Sequence, residues 1–308
     1  VGTTQNTGGV STIEELIESD NDLAPLAGND MVKVTDYSVT QGLSADWRNI
    51  LLLGSDTRNL KKVSRTDTMI IASINVNDGR IKLTSIMRDT MVPIPGHGTN
   101  KLNSASYYGG VDLTVKLINE LFGMNITEYV LVNFNSFQKV VDILGGIEVD
   151  VTEEEMNYIN NGMGEMAKVG GYDQDWYVAN KDSLLLKTFG TATHLTGIQA
   201  LGYARIRKIG SDFQRTERQR NVLNAILQKV RNDANAIQFM QIASSMWGYF
   251  ETNINMMSAV GLATTVIKNG AKEMKEWRLP AKDAFVSETR ANSKGTKVSA
   301  LYDVNFEM

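Results

Sequence analysis

The stretch SRTDTMIIASINVNDGRIKLTSIMRDT (64–90) contains two apolar segments separated by a tight turn sequence. The turn residues are NDG (77–79), and a turn of this type between two apolar runs is a strong signal of a β-hairpin. The sequence therefore predicts one strand at about 68–75 and a second at about 80–87. Because the strands of a hairpin are antiparallel, the sheet that contains them is not purely parallel.

Charged residues lie at the open end of this predicted hairpin. If the strands pair about a centre between Asn77 and Asp78, Asp67 faces Arg88, within one residue of register. One interpretation is a functional pair, since both strands are apolar and the pair borders a core. The other is a cross-strand salt bridge at a sheet edge, which contributes little stability when it is exposed. The residues alone leave both interpretations open.

Strands alternate with helices along the rest of the chain, which favours a layered α/β fold. The other predicted strands cover 50–53, 128–134, 147–151 and 203–208. The predicted helices cover 12–26, 112–122, 135–144, 215–230, 236–250 and 257–269, and one more begins at 196. Residues 152–190 have weak periodicity and many Gly, Asn and Asp residues, so we expect a long loop or insertion there.

The composition of the 308 residues is that of a globular protein, with 42% hydrophobic and 21% charged residues. The net charge of −4 argues against a protein dedicated to binding nucleic acid. Since the chain has no cysteine and two histidines, we expect neither disulfides nor a zinc site. The start has no initiator Met and is rich in Gly and Thr, so we expect that a membrane anchor upstream is missing.

The window LGYARIRKIGSDFQRTERQR (201–220) carries six basic and two acidic side chains on an otherwise acidic chain. In a strand, Arg205 and Arg207 share one face. In the following helix, Arg215, Arg218 and Gln219 share one face, which continues into the apolar stripe. The periodicity therefore directs the helix set toward the protein interior and places the two strand arginines together on one face.

Arginines in this position are unfavourable unless they have a partner. They oppose the helix dipole in the first turn and must lose their hydration. An anion bound at the helix N-terminus removes both costs, and the fork of an arginine suits phosphate oxygens. The alternative is pairing with internal acids such as Asp56, Asp67 and Asp89. Arg220 points the other way, and we expect it to be solvated.

A cation site is a second expectation. Asp56 lies in GSDTR (54–58), directly after an apolar strand, where α/β proteins place ligands, although for this segment alone an Asx-turn is the simpler explanation. If Asp56 lies beside Asp67, the two carboxylates repel unless a cation separates them, and Mg²⁺ or Mn²⁺ suits oxygen ligands. A cation beside several arginines matches a Mg²⁺-bound diphosphate. No Walker or G-x-G-x-x-G motif occurs, so an ordinary nucleotide enzyme is not indicated.

At this point the residues resemble the LytR-CpsA-Psr family of cell-wall glycopolymer transferases. The similar segments, in order, are LLLGSDTR, SRTDTMIIASIN, IKLTSIMRDTMVPIPG, KLNSASYYGG, VNFNSFQKVVDILGGIEVDV, HLTGIQALGYARIRK and DFQRTERQRNVLNAI. They cover about 49–230 in the order and rough spacing of the family.

The resemblance implies a three-layer α/β/α sandwich around a mixed central sheet, with a hydrophobic pocket for a polyprenyl chain and Mg²⁺ at its mouth. It implies transfer of a phosphoglycan from a polyprenyl-diphosphate carrier to peptidoglycan, on the extracellular face of the membrane of a Gram-positive bacterium. Residues 1–46 are then an accessory or linker segment whose transmembrane anchor is missing, and 47–308 form a single catalytic domain.

The resemblance also assigns roles to individual residues. Asp56 and Asp67 correspond to the metal ligands, and Asp89 or one of these two is the candidate general base. The phosphate-binding set is Arg65, Arg88, Lys101, Arg205, Arg207, Arg215, Arg218 and Gln219. The catalytic set is Asp67, Arg88, Asp89, Arg205 and Arg207.

Two other functions remain open at this point, a non-catalytic binder of polyprenyl phosphate or diphosphate and a lipid-diphosphate hydrolase. RNA binding is disfavoured, because the arginines follow the core-facing phase and have no interleaved exposed aromatic residues.

Overall fold

Strands alternate with helices in the computed structural model, which describes residues 33–55, 64–210, 212–233, 243–269, 274–281, 283–291 and 297–306. The strands are β1 (Trp47–Ser55), β2 (Thr66–Asn75), β3 (Ile81–Ile86), β4 (Met91–Ile94), β5 (Gly98–Lys101), β6 (Glu128–Asn133), β7 (Ile147–Val151), β8 (Gly190–Leu195), β9 (Glu251–Thr252), β10 (Met274–Leu279), β11 (Val286–Ala291) and β12 (Lys297–Tyr302). The helices are α1 (Ala105–Phe122), α2 (Phe134–Ile143), α3 (Glu153–Asn161), α4 (Met163–Val169), α5 (Gln174–Leu184), α6 (Gly197–Ala204), α7 (Asp212–Asp233) and α8 (Met256–Asn269). The helix predicted at 12–26 lies outside the described residues.

A six-stranded mixed sheet is the centre of the fold, in the order β10-β3-β2-β1-β6-β9. β2 is antiparallel to both β1 and β3, whereas β6 is parallel to β1 and β10 is parallel to β3. The pairs β4–β5, β7–β8 and β11–β12 form separate two-stranded sheets. The mixed sheet expected from the hairpin is therefore confirmed.

The hairpin of β2 and β3 has the register that the turn sequence predicts. Ile70 pairs with Ser85, as expected for a centre in the middle of the turn. Just beyond the paired residues, the same register brings Asp67 to Arg88, whose Nη1 lies 2.5 Å from Asp67 Oδ1. The two charged groups therefore meet at the open end of the hairpin, as predicted.

The turn of this hairpin packs against α8. Asn75 Oδ1 accepts hydrogen bonds from the backbone N–H of Asn77 at 3.0 Å and of Asp78 at 3.1 Å. Gly79 has a φ of +70°, and a Cβ there would lie 2.9 Å from the carbonyl oxygen of Thr265. The turn therefore needs glycine both for its backbone conformation and for its contact with the helix.

The sheet separates two helical layers, because side chains alternate between its faces along each strand. On one face Leu51 shares an apolar core with Leu113 and Ile118 of α1. On the other face Ile70 packs with Val266 of α8, and α7 lies on the same side. The three-layer α/β/α arrangement that the family resemblance implies is confirmed.

The long loop expected at 152–190 is wrong, because α3, α4 and α5 occupy most of this segment. Thr152 and Glu155 form a capping box at the start of α3. Asp173 accepts a hydrogen bond from the Trp176 backbone N–H at 2.8 Å at the start of α5. These helices are only 9, 7 and 11 residues long, so their apolar periodicity is too brief to stand out among the glycines.

The strand expected at 203–208 is also wrong. A capping box of Thr196 and Gln199 starts α6, and the helix continues through Ala204. The Arg205 backbone N–H donates to the Leu201 carbonyl at 3.1 Å. The alternation of arginines and apolar residues favoured a strand, but burial of the apolar side of α6 keeps this segment helical up to its C-cap at Arg205.

Several short elements were not predicted, namely the hairpins β4–β5 and β11–β12, the strand β8 and the edge strand β10. The helix predicted at 236–250 is described only in part, with 243–246 helical and Trp247–Tyr249 in a 3₁₀ turn. Among the described helices, none combines the length and apolarity that crossing a bilayer requires.

The packing of α6 against α2 depends on a glycine, which yields a test of the fold. A Cβ at Gly197 would lie 2.2 Å from the carbonyl oxygen of Gln138. We expect Gly197→Ala to lower the free energy of unfolding by about 1–3 kcal/mol, the usual cost of overpacking, as measured by chemical denaturation. Gly261→Ala in α8 is the control, because its Cβ position meets no described atom within 4 Å outside the adjacent residues and the backbone of its own helix, and alanine favours helices. Equal stability of the two variants contradicts this packing.

Candidate functional site

A cavity of about 290 Å³ lies between the central sheet and the helices α2, α6 and α7. Its floor consists of two rows of residues on the adjacent strands β2, β1 and β6, and all of these residues face the same side of the sheet. The first row is Ile70, Leu52 and Val130, and the second row is Thr68, Gly54 and Val132. A Cβ at Gly54 would lie 3.0 Å from Thr68 Cβ, so a side chain at this position would crowd Thr68 on the floor.

The walls of the cavity are almost entirely apolar. They are formed by Phe134, Phe137 and Val140 of α2, Leu201 and Ala204 of α6, Val222, Leu223 and Ile226 of α7, and by Met246 and Phe250. Such a lining excludes water from the ligand and accepts a hydrocarbon chain without leaving polar groups unpaired. The hydrophobic pocket implied by the family resemblance is therefore present.

Charged and polar side chains line the same cavity together with this apolar wall. Besides Ser55, Thr68 and Asn133, which have short polar side chains, they are Asp67, Arg205, Arg207, Arg215 and Gln219. We call these five residues the polar mouth. Three arginines against one carboxylate make the mouth cationic, so a ligand with an apolar chain and an anionic head matches both parts of the lining.

Asp67 is the anchor of the polar mouth. Its Oδ1 lies 2.5 Å from Arg88 Nη1, and its Oδ2 lies 2.9 Å from Arg207 Nη2. Burial raises the pKa of the Asp67 carboxyl, but the charges of Arg88 and Arg207 outweigh this effect and hold the pKa below its usual range. The group is therefore ionised at neutral pH and is a weak proton acceptor.

Arg205 reaches the mouth from the end of α6. Its Nη2 lies 3.0 Å from Glu165 Oε1 of α4, and its guanidinium lies 4.3 Å from the ring centre of Phe134. A cation stacked on an aromatic face is held in place without losing its hydrogen-bonding edge. The orientation of Arg205 is thus fixed by a ring below it and a carboxylate beside it.

The prediction that the start of α7 directs its side chains inward is confirmed, but Arg218, although buried, is not among the described residues that line the cavity. Arg215 is buried, and both Arg215 and Gln219 line the cavity. Arg218 is buried elsewhere, with Nε 2.7 Å from Glu155 Oε1 and both terminal nitrogens 3.2 Å from the Ile209 carbonyl. The reason is geometric, because residues 218 and 219 are about 100° apart around a helix.

Arg220 is not solvated, which corrects another expectation. Its Nε lies 2.7 Å from Glu276 Oε2 of β10, and its Nη1 donates to Ser85 Oγ of β3 at 2.9 Å. Asn224 also donates to Glu276, at 2.8 Å. These contacts tie α7 to the edge of the sheet, so Arg220 holds the helix that carries Arg215.

The remaining predicted site residues lie around the mouth rather than in it. Lys101 Nζ is 2.8 Å from Asp89 Oδ1, and Asp89 Oδ2 is 3.5 Å from Arg88 Nε. Asp89 therefore links Lys101 to the arginine that holds Asp67. Arg65 is partly buried directly before β2, and it is not among the described residues that line the cavity.

The predicted cation site is described only in part, because Asp56 lies outside the described residues. Among the residues that the structure describes, no three acidic or histidine side chains cluster to hold a metal by themselves. Asp67 fits a role as one oxygen ligand, since an ionised carboxylate accepts about four contacts and only two arginines are bonded to it.

Two residues that contact Arg205, namely Glu165 and Phe134, were not predicted from the sequence. Glu165 lies in the segment that was expected to be a loop, and nothing in its local pattern connects it to Arg205. Phe134 follows the polar Asn133, whose Oδ1 caps α2 by accepting from the Ser136 backbone N–H at 2.8 Å. This cap turns the chain sharply after β6, and that turn places Phe134 under the guanidinium.

Known proteins are similar to this chain in sequence and in fold. The chain is 34% identical over 218 residues to the polyisoprenyl-teichoic acid–peptidoglycan teichoic acid transferase TagT of Bacillus subtilis (strain 168), which is 70% of this chain and 62% of TagT. It is 34% identical over 216 residues to the transferase of the same description, TagU, of Oceanobacillus iheyensis, covering 68% of this chain and 59% of TagU. The chain thus spans about three fifths of the length of both relatives.

Solved structures of related proteins are also similar to this chain. The LytR-CPS2A-psr family protein YwtF (TagT) with bound octaprenyl pyrophosphate lipid matches with a TM-score of 0.57 and 27% identity, over 88% of each chain. The family model described as the LytR_cpsA_psr family matches residues 11–302, nearly the whole chain. The chain therefore belongs to the LytR_cpsA_psr family.

Proposed function

We propose that this protein transfers a phosphoglycan from a polyprenyl-diphosphate carrier to peptidoglycan. The observation that carries the proposal is the combination, in one cavity, of an apolar wall with an arginine-rich mouth. The relatives support it, because TagT and TagU are named as polyisoprenyl-teichoic acid–peptidoglycan teichoic acid transferases and YwtF binds an octaprenyl pyrophosphate lipid. The glycan is a teichoic acid, a capsular polymer or another anionic cell-wall polymer.

The two parts of the cavity divide the recognition of the carrier between them. The prenyl chain lies against the apolar wall, where each buried methylene group contributes about 0.8 kcal/mol. The diphosphate lies at the polar mouth, where Arg205, Arg207 and Arg215 neutralise its oxygens and Gln219 donates a hydrogen bond. The apolar wall provides affinity, and the mouth places the diphosphate where the reaction occurs.

The reaction is a displacement at the glycan-side phosphorus. A sugar hydroxyl of peptidoglycan attacks this phosphorus, the bond to the bridging oxygen breaks, and polyprenyl phosphate leaves. The arginines of the mouth stabilise the charge that develops on the phosphate oxygens. Asp67 contributes by holding Arg88 and Arg207 in place, and its lowered pKa leaves Asp89 and Asp56 as the candidates for accepting the proton of the hydroxyl.

A divalent cation completes the proposed site. Asp67 and Asp56 would hold Mg²⁺, with Mn²⁺ as a substitute, and the cation would supply additional neutralisation of the diphosphate. We propose that the protein acts on the extracellular face of the membrane of a Gram-positive bacterium, attached through an N-terminal anchor. There it would meet both the lipid carrier and peptidoglycan.

The first test removes the ion pair between Asp67 and Arg88 at the polar mouth. We expect Asp67→Ala and Arg88→Ala to abolish transfer of a labelled lipid-linked glycan to peptidoglycan while the protein remains folded by circular dichroism. Arg80→Ala is the matched control, because Arg80 forms an exposed ion pair with Asp78 at the opposite end of the same hairpin. Undiminished transfer by a folded Asp67→Ala variant contradicts the assignment of the site.

The same assay separates the other two functions. Binding of the lipid without transfer by the wild-type protein indicates a non-catalytic binder. Release of free glycan phosphate in the absence of any acceptor indicates a hydrolase. Transfer that requires peptidoglycan is the expected result.

The second test fills the apolar part of the cavity. Val132 lies on the cavity floor, and Val132→Phe would occupy space that the prenyl chain needs. We expect this variant to bind long polyprenyl diphosphates at least about tenfold more weakly, a loss equivalent to about two methylene groups, in isothermal titration calorimetry. Binding of inorganic diphosphate should not change. Equal losses for both ligands contradict the division of the cavity into an apolar and an ionic part.

The third test removes the cation. Treatment with a chelator should abolish transfer, and added Mg²⁺ or Mn²⁺ should restore it. Full activity after exhaustive chelation contradicts the cation proposal, but it leaves the assignment of the arginines intact.

A further inference from the structure

Carboxylates pair with the cations around the polar mouth. Asp67 pairs with Arg88 and Arg207, Asp89 with Lys101, and Glu165 with Arg205. A diphosphate that enters the mouth must therefore compete with carboxylates that are already there. The question is which of these carboxylates yields its partner to the ligand.

Two of the three carboxylates are held by more than one cation. Asp67 binds one arginine through each of its oxygens, at 2.5 and 2.9 Å. Asp89 lies 2.8 Å from Lys101 and 3.5 Å from Arg88. Moving either group would break two ion pairs in a partly desolvated region, which is costly.

Glu165 differs from both. Its ion pair with Arg205, at 3.0 Å, is its one ion pair among the described residues, and 39% of its side chain is exposed. A partly exposed pair of this kind contributes little stability, because water replaces part of the lost contact. Glu165 also lies on α4, which contributes no residue to the described lining of the cavity. Its carboxylate can therefore turn into solvent without disturbing the cavity wall.

Arg205 does not depend on Glu165 to stay at the cavity. Its guanidinium also lies 4.3 Å from the ring centre of Phe134, which lines the wall of the cavity. A guanidinium released by Glu165 thus keeps its position and presents a hydrogen-bonding edge to a phosphate oxygen.

We propose that Glu165 is a displaceable counter-ion of Arg205. It neutralises the guanidinium when no ligand is bound and gives it up to the diphosphate. The negative charge of Glu165 then lowers the affinity of the site for an anionic head group without affecting the apolar part of the ligand. The inference rests on the diphosphate-binding site of the proposed function and adds to it a residue that sets the affinity.

The test is Glu165→Gln, which keeps a hydrogen-bond acceptor for Arg205 and removes only the charge. The probes are geranylgeranyl diphosphate and geranylgeraniol, which share the chain and differ in the head group. We expect the variant to bind the diphosphate about twofold to fivefold more tightly, the range of an exposed ion pair. The association rate of the variant should be higher than that of the wild type, and it should decrease more steeply as the salt concentration increases. Affinity for the alcohol should not change.

Two controls make the result specific. Glu154→Gln removes an equally negative, exposed side chain from the neighbouring helix α3 and should leave both affinities unchanged. In an Arg205→Ala background, Glu165→Gln should no longer tighten binding of the diphosphate beyond the level of Glu154→Gln, because the two residues act as a pair.

Each other outcome overturns the proposal. Unchanged or weaker diphosphate binding by Glu165→Gln shows that Glu165 does not compete with the ligand. An equal gain in Glu154→Gln, or a gain that persists without Arg205, shows an effect of net charge alone. If the wild-type protein does not prefer the diphosphate to the alcohol, the proposed diphosphate site fails, and the inference fails with it.

Discussion

The site depends on the ion pairs that the carboxylate of Asp67 forms with two arginines. The carboxylate is held between Arg88, which follows β3, and Arg207, which lies in the segment between α6 and α7. One side chain thus joins the central hairpin to the segment that leads into the helix of Arg215. Without it, Arg88, Arg207 and Arg215 would lose the carboxylate that offsets their mutual repulsion beside an apolar cavity.

Neighbouring contacts then fix the elements that meet at the mouth. Glu155 and Glu276 bind the start and the outer side of α7 through Arg218 and Arg220. The Arg218–Glu155 pair is buried, with 7% and 11% of the side chains exposed, so loss of one partner would leave a buried charge unpaired. These arginines do not line the cavity, but they determine where the lining arginine of α7 is placed.

The sequence was sufficient for those features that depend on local pattern. The hairpin register followed from the turn, and the inward direction of Arg215 and Gln219 followed from helical periodicity. The mouth also contains features that depend on contacts distant in sequence, and these were not predictable. Arg218 lies three residues after Arg215, and its pairing with Glu155 depends on the position of a residue 63 places away in the sequence. Short capped helices such as α4, which supplies Glu165, have too few turns to show a period.

The turn at residues 77–79 lies at the far end of the hairpin from the mouth, yet its length decides which side chain meets Arg88. A one-residue insertion or deletion there would shift the pairing of β2 with β3 and turn alternate side chains to the opposite face. Thr66 or Thr68 would then replace Asp67 beside Arg88. Most surface turns tolerate changes in their length. In this turn the length is a functional constraint, because it sets the strand register and thereby the residue that meets Arg88.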